Sequence, residues 1–346
     1  MQIKILKETY ERDYDLFLKE SKNSLFYHSL KYKRFLESVL SKSIARYFLL
    51  FENKKIIAAL PFFLIKTKKG NVLNSLPFFG SNGDIIYKDN IEEKHFLYIF
   101  TFLENFIKKN KIISTLIIPN FLNNESKAQF YFNHNLRDAR ISQITYLPKN
   151  IKKNIKDSDF LNLFKSKSLK RNISIKKENF NIKIDNSLEN FEQLFKLHKK
   201  NSIAKNRLFK KWYVFKSIRK NFIEKIDYNI YCIKNNNELI AGLLVFYYKH
   251  FVEYYLPVTN SKYDKFQLME KIILQAMKEA VKNKYSIWNW GSTWENQKGV
   301  FQFKNRWNAN NSVFHYMIKT SLDINKIDKS ETLSNFKYFY VIPFNS

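Results

Sequence analysis

The chain is poor in the residues that usually punctuate and staple a fold: one cysteine, six glycines and six prolines in 346 residues. Cys232 alone cannot close an internal disulfide. The six scattered histidines show neither HExxH nor CxxC spacing, so a disulfide scaffold, a zinc finger and a thiol redox centre are excluded and a reduced, cytoplasmic setting is expected. Glycine falls far below its usual level of about 7 per cent. The six, Gly70, Gly80, Gly83, Gly242, Gly291 and Gly299, cannot be arranged as GxGxxG, GxxxxGK or GxSxG. Rossmann dinucleotide binding, P-loop nucleotide hydrolysis and nucleophile-elbow hydrolysis therefore lack their signatures. The opening MQIKILKETYERDYD puts charges where a signal peptide needs an apolar core, so no secretion signal is expected. The longest uncharged apolar stretch, Ile56 to Ile65, is far short of the roughly 20 residues of a membrane helix.

What the chain has in excess is positive charge. Sixty Lys and Arg against 31 Asp and Glu give a net charge of +29, and Phe and Tyr are abundant at 33 and 21. Two accounts of the charge stand side by side. A composition rich in Lys, Asn, Ile, Phe and Tyr fills ordinary surface positions with lysine. Alternatively, the surface attracts phosphates of RNA, anionic lipid or a nucleotide-linked sugar through its long-range field and counterion release.

Periodicity gives a mixed α/β organisation in two halves. Leu25 to Val39 repeats at helical spacing, and Arg46 to Phe51, a polar turn at Glu52 to Lys55, and Ile56 to Lys66 read as a meander. Asn71 to Leu76 adds a short strand, Glu92 to Asn110 a helix and Ile112 to Pro119 a β-branched strand. The Lys-rich stretch Lys149 to Ser168 links this half to the next. There Leu161 to Lys177, Ser187 to Lys199 and Leu208 to Phe222 read as helices, and Phe180 to Asp185 as a strand. Tyr228 to Lys234, Leu239 to Tyr248 and Phe251 to Val258 are extended, followed by a helix from Phe266 to Lys282 and a strand from Tyr285 to Trp290. After the loop Gly291 to Lys298 come a helix, Val300 to Trp307, and a last strand, Val313 to Lys319. The turns Glu52 to Lys55 and Asn235 to Glu238 precede similar strands, a weak internal repeat at a spacing of about 180 residues. The expected domains are 1–150 and 151–325, with a C-terminal tail from 326 to 346.

Three segments carry a resemblance: YFLLFENKKIIAALPFFLIKTKKGNVLNSLPFFGSNGDIIY, NELIAGLLVFYY and WNWGSTWENQKGVFQFKNRWNA. Over roughly residues 20 to 320 the chain resembles the FemAB family, which includes enzymes adding amino acids to peptidoglycan precursors from aminoacyl-tRNA. It also resembles the related GNAT-type acyltransferases of cell-surface polysaccharide pathways. The most specific pieces are Ser75-Leu76-Pro77-Phe78 with Gly83, and Gly291-Ser292 followed by Gly299-Val300-Phe301-Gln302-Phe303-Lys304. The chain departs from the family in having Asn82-Gly83 where Gly-Gly is frequent, and Asn308 where Gly follows Trp. The resemblance implies two tandem GNAT-like domains, each a mixed, mainly antiparallel sheet flanked by helices.

A GNAT domain holds a donor pyrophosphate on a Gly-rich loop at a helix N-terminus. The corresponding segment here, Thr259 to Phe266 (TNSKYDKF), has no glycine, so its amides cannot approach a pyrophosphate closely. This disfavours ordinary acetyl-CoA binding and favours either an aminoacyl-tRNA donor, as the resemblance implies, or an acyl donor gripped some other way, so that aminoacyl-tRNA and acyl-CoA both stay open. No tightly bound cofactor and no metal are expected. Lys262 and Lys265 remain as point charges for a donor phosphate.

Four of the five tryptophans lie between Trp288 and Trp307. Trp288 and Trp307 suit a core, whereas Trp290 and Trp294, at a strand end beside a glycine loop, suit a wall that stacks on a sugar or base. Asn82-Gly83 suits a tight turn with positive φ. The resemblance places Lys304 at the family's Phe-Lys pair, with Phe303 beside it, and implies that its ammonium steadies the charge formed when the donor carbonyl is attacked. It also implies that Lys170 and Arg171 meet phosphates of the acceptor, arginine bidentately. Glu253 and Asp264 are candidate general bases by position.

The function expected is therefore N-acyl transfer, aminoacyl or acyl, to an amine of a cell-envelope glycan or peptidoglycan-type precursor. The partners would be tRNA as donor, a phosphate-bearing glycan precursor, and an anionic membrane touched peripherally from the cytoplasm. An acyl-CoA-dependent N-acetyltransferase acting on a nucleotide-linked or surface-polysaccharide sugar is the alternative. A non-catalytic protein binding RNA or an anionic surface is the second. No RNP-like aromatic run or basic heptad supports that second alternative.

Overall fold

A computed structural model describes residues 1–78, 82–121, 126–149, 155–174 and 180–343. The chain divides into two compact units: Met1–Arg140 with Ser312–Ser346, and Ile141–Asn311. The expected boundaries at 150 and 325 thus give way to divisions at 140/141 and 311/312, and residues 326–346 belong to the first unit. The chain folds as the mixed α/β architecture expected.

In the first unit, β1 (Gln2–Ile5), α1 (Glu11–Glu20) and α2 (Leu30–Val39) precede β2 (Ser43–Glu52), β3 (Lys55–Thr67) and β4 (Gly70–Asn74). Then come β5 (Ile86–Tyr87), α3 (Glu93–Lys109), β6 (Ile112–Ile117), α4 (Ala128–Tyr131) and β7 (Leu136–Tyr146), whose last residues belong to the second unit. There follow α5 (Asp157–Leu161), α6 (Lys167–Ile173), β8 (Lys183–Ile184), α7 (Leu188–Ala204), α8 (Trp212–Asn221), β9 (Tyr228–Asn235), β10 (Glu238–Tyr248) and β11 (Phe251–Thr259). The second unit continues with α9 (Leu268–Lys282), β12 (Ile287–Thr293) and α10 (Lys298–Asn305). Finally β13 (Asn310–Thr320) returns the chain to the first unit, which ends with α11 (Lys329–Asn335).

The two units repeat one topology. In the first, β1, β2, β3 and β4 pair antiparallel in sequence, β4 pairs parallel with β6 across the α3 crossover, and β13 closes antiparallel on β6. In the second, β8, β9, β10 and β11 pair antiparallel, β11 pairs parallel with β12 across α9, and β7 closes antiparallel on β12. Each unit's central hairpin turns on two residues, Asn53-Lys54 (φ 48° and 61°) and Asn236-Asn237 (φ 47° and 63°). Left-handed values at both central positions match the right-handed strand twist, and asparagine, which fills three of the four positions, tolerates them without glycine.

The apolar faces of these elements explain their burial. In α3, Phe96, Ile99, Phe100, Leu103 and Ile107 recur at helical spacing and pack on β3 and β4 residues such as Leu60 and Leu73. In α9, Leu268, Ile272, Ile273, Ala276, Met277 and Ala280 bury against Leu243, Val245 and Val252. Burial of each such large side chain contributes on the order of 2 kcal/mol. Serines cap the helices that follow loops: Ser29, Ser166 and Ser187 accept from the amides of Tyr32, Leu169 and Asn190.

One turn differs from expectation. Gly83 does not adopt a positive φ; Leu76 (55°) and Phe78 (86°) do, ahead of it. Glycine is needed at 83 for space, because a Cβ there would lie 2.5 Å from the Ser75 carbonyl oxygen. Gly80, from the same motif, lies outside the described residues.

Candidate active site

The parallel pairing of β11 with β12 joins Phe251–Glu253 to Ile287–Asn289 and stops, although β11 runs on to Thr259 and β12 to Thr293. In the first unit the β4–β6 pairing continues to Asn74↔Leu116, at the end of β4. The strands of the second unit therefore part at Glu253 and Asn289, whose side chains meet there: Asn289 Nδ2 donates to Glu253 Oε2 at 2.7 Å, and both residues are buried. Just beyond, each strand carries an irregularity. On β11 the register against β10 shifts so that Tyr255 is the extra residue. On β12 the register against β7 shifts between Asn289 and Ser292, where Gly291 adopts φ 71° and its N–H is accepted by Asn289 Oδ1 at 3.0 Å. Bulges bend strands and re-aim backbone groups, and parted strands leave edge N–H and C=O groups for a ligand's amides.

Lys304 reaches into the parted segment of β12. It is 5 per cent exposed, and its Nζ donates to Thr293 Oγ1 at 2.6 Å and, over longer distances, to the carbonyls of Gly291 (3.3 Å) and Ser292 (3.5 Å). Every acceptor is uncharged. Burial disfavours the ammonium and lowers its pKa to about 8, which leaves it largely protonated at neutral pH. Thr293 is oriented in turn. Gln143 Oε1 accepts the Thr293 hydroxyl proton at 2.8 Å, while Gln143 Nε2 donates to Asn311 Oδ1 at 2.9 Å and to Asn305 Oδ1 and the Phe301 carbonyl at 3.3 Å. With its proton committed to Gln143, Thr293 presents lone pairs to Lys304.

The aromatic residues divide differently from the sequence reading. Trp288 and Trp307 are fully buried, as expected. Trp290 is also core, at 2 per cent exposure, with its indole N–H donating to Thr145 Oγ1 at 2.9 Å, so it is no exposed stacking wall. Its ring meets Tyr254 of β11 (centroids 5.0 Å apart) and Phe303 of α10 (6.3 Å), giving the parted strands an aromatic base. Trp294 is 39 per cent exposed. Phe303 is half-buried and carries the Arg306 guanidinium on its face at 5.2 Å.

The structure brings Lys304, Phe303 and Trp290 together. It places Lys170, half-buried, and Arg171, exposed, on α6. That helix joins the site through side chains the sequence did not flag: the Asn172 side-chain oxygen accepts from Arg306 at 2.9 Å, and the buried Glu270 pairs with the same Arg306 at 3.1 Å. Lys262 and Lys265 are exposed on a short 3-10 helix, Ser261–Phe266, between β11 and α9. There the amides of Lys262, Tyr263 and the following Gln267 are bonded to Asn260 Oδ1, Asn260 O and Asp264 O. Gln267, just before α9, holds φ 52°. Asp264 is exposed, whereas Glu253 is buried at the point of parting. No group of acidic, histidine or cysteine side chains able to hold a metal occurs among the described residues.

Thr293 and Gln143 are the residues that sequence reasoning missed. Thr293 sits inside the quoted WNWGSTW run, but no spacing rule singles out one hydroxyl. Gln143 lies on β7, whose buried positions Ser142, Gln143 and Thr145 are polar and so hide the strand's alternation.

No family model matches the sequence, and no curated protein matches it. Solved structures do. FemX superposes with a TM-score of 0.69 at 13% identity, covering 92% of this chain and 97% of that one. A tandem GNAT protein from the clavulanic acid biosynthesis pathway gives 0.54 at 7% identity, covering 92% and 97%. L-PGS from Bacillus licheniformis gives 0.53 at 13% identity, covering 94% and 95%. The repeated topology, the parted strands of the second unit and these superpositions together establish that the chain has the tandem GNAT-like fold found in FemX.

Proposed function

We propose that the protein is an N-acyltransferase that moves an aminoacyl or acyl group from an activated ester or thioester to an amine of a cell-envelope glycan or peptidoglycan-type precursor. The observation that carries this reading is the buried Lys304 ammonium, held by three uncharged acceptors on the parted part of β12. A buried cation without a bonded counter-charge is costly. It is compensated when negative charge develops beside it, as on the carbonyl oxygen of a donor under attack. The amine adds to the carbonyl carbon, the oxygen gains the electron pair beside Lys304, and collapse breaks the bond to the donor's oxygen or sulfur, which leaves as the alcohol or thiol with the proton the amine gives up.

Two features support aminoacyl-tRNA as donor: the 3-10 segment before α9, where the amides of Lys262, Tyr263 and the following Gln267 are already engaged, and the basic surface for an acceptor stem. In this reading Lys262 and Lys265 contact donor phosphate and Arg171 with Lys170 contacts acceptor phosphate, while Phe303 and Trp294 border the acceptor. Such donors are made in the cytoplasm, where the reading places the protein. Among the described residues no helix is long and apolar enough to cross a membrane.

Single-turnover transfer with saturating donor and acceptor tests the proposal. Lys304→Ala should slow transfer by on the order of a hundredfold while leaving acceptor affinity nearly unchanged, because the interaction exists only in the transition state. Lys304→Arg should recover only part of the rate, since the planar guanidinium cannot occupy the same point. Equal rates for all three proteins would remove Lys304 from the chemistry.

A further inference from the structure

We propose that the connection between α7 and α8, Ile203 to Tyr213, is a docking surface for an anionic lipid bilayer. The proposal rests on exposure and charge in this segment and is independent of the chemistry proposed above. From Gln193 to Ile223 the chain contains ten lysines and arginines and no aspartate or glutamate, whereas the whole chain has 31 acids to 60 bases. Within this stretch Leu208 is 76 per cent exposed, the highest value among the exposed large apolar side chains of the described residues, and Ile203 and Tyr213 are exposed beside it.

The exposure of Leu208 is imposed by its neighbours. On one side the amides of Asn206 and Arg207 donate to the carbonyls of Ile203 and Ser202. On the other, the amide of Lys210 donates to His198 Nε2 at 3.0 Å, and the buried Lys210 side chain lies over the Tyr255 ring at 5.2 Å. The Phe209 ring meets the ammonium groups of Lys211 (4.3 Å) and Lys199 (5.8 Å). Leu208 is thus fixed outward, with Lys205, Arg207 and Lys211 exposed around it.

That combination selects the occupant. At a bilayer interface an aliphatic side chain enters the acyl boundary while lysine and arginine remain among anionic headgroups. Nucleic acid offers the charges a partner but gives Leu208 and Ile203 nothing to stack on or bond to. Protein interfaces are depleted in lysine and anchored by aromatic residues rather than by a leucine ringed with cations.

The test is co-sedimentation of the full chain with vesicles of phosphatidylcholine alone and with vesicles containing one-third phosphatidylglycerol. The protein should pellet with the second and not the first. Leu208→Ser should weaken partitioning by about tenfold, and the triple variant Lys200→Glu, Lys205→Glu, Arg207→Glu, which leaves the Lys211–Phe209 contact in place, by at least about tenfold. Leu333→Ser, which removes an exposed leucine on α11, should change nothing. All the substituted residues are exposed, so each variant should keep the wild-type far-UV spectrum and melting temperature. Failure to pellet with anionic vesicles overturns the proposal, and so does full partitioning of Leu208→Ser, which would reduce the contact to charge alone. Loss of bulk tRNA binding in the triple variant, with no vesicle binding by wild type, would assign the segment to nucleic acid instead.

Discussion

Lys304 Nζ donates to Thr293 Oγ1 at 2.6 Å, the shortest of its three hydrogen bonds, and Thr293 accepts because its own proton goes to Gln143. A buried ammonium is thereby aimed by a hydroxyl that cannot turn away. Thr293→Val keeps the shape and deletes the acceptor. It should cost about 1–3 kcal/mol in denaturant unfolding, since the ammonium and Gln143 Oε1 each lose a partner. It should also lower the Lys304 pKa below about 8, readable from the lysine 13Cε resonance. Thr293→Ser should restore most of both, and an unchanged Lys304 titration in Thr293→Val would show that the hydroxyl does not hold it.

The two buried lysines of the second unit set a pH dependence of stability. Burial holds both Lys304 and Lys210 at about 8, below the ordinary lysine value of 10.5. When a lysine's native pKa is depressed, the unfolded chain binds more protons between the two values, so stability rises with pH across that window. Below about pH 8 the native state bears the full cost of a buried charge. Unfolding free energy should therefore increase from about pH 8 towards pH 10, by at most on the order of 3 kcal/mol per lysine. Lys304→Met and Lys210→Met should each flatten part of the rise relative to wild type. Parallel pH curves for wild type and both variants would contradict this account.

Two glycines separate backbone strain from steric exclusion. At Gly291 an added Cβ meets nothing within 4 Å, but φ is 71°, so Gly291→Ala should cost about 1 kcal/mol through the left-handed conformation alone. At Gly83 the φ is unexceptional, yet a Cβ would lie 2.5 Å from the carbonyl oxygen of Ser75, whose hydroxyl accepts the amide of Ile118. Gly83→Ala forces backbone apart and should cost well over 2 kcal/mol. Thermal unfolding of the two variants should show the larger loss at position 83, and the reverse order would refute the assignment.

Much of the second unit was legible because its strands are apolar runs between polar turns. The Asn235 to Glu238 turn, the three strands around it and the α9 helix follow the hydrophobic period closely. Trp290 misled because a tryptophan beside a glycine at a strand end looks the same in sequence whether its ring faces in or out. A bulge decides the matter, and register shifts leave no mark in composition. The Lys304–Thr293–Gln143 chain was illegible for a related reason. Its members lie on α10, β12 and β7, and only the antiparallel closure of β7 on β12 brings Gln143 to Thr293.

The loop before α9 makes a prediction about the donor. In a pyrophosphate-binding loop the amides point at the ligand. Here those of Lys262 and Tyr263 are bonded to Asn260, and that of Gln267 to Asp264 O, which also accepts from Gln267 Nε2 at 2.8 Å. Gln267 takes the left-handed conformation that glycine adopts freely, and its side chain closes the turn on itself. A pyrophosphate would have to break these bonds before forming its own, with only the exposed Lys262 and Lys265 to compensate. Acetyl-CoA should accordingly bind more weakly than about 100 μM, under about 5.5 kcal/mol, in isothermal titration calorimetry. Lys262→Ala with Lys265→Ala should change that weak binding little, while weakening the binding of aminoacyl-tRNA in low salt. Micromolar acetyl-CoA affinity in the wild-type protein would refute the loop argument and make an acyl-CoA thioester the donor to test first.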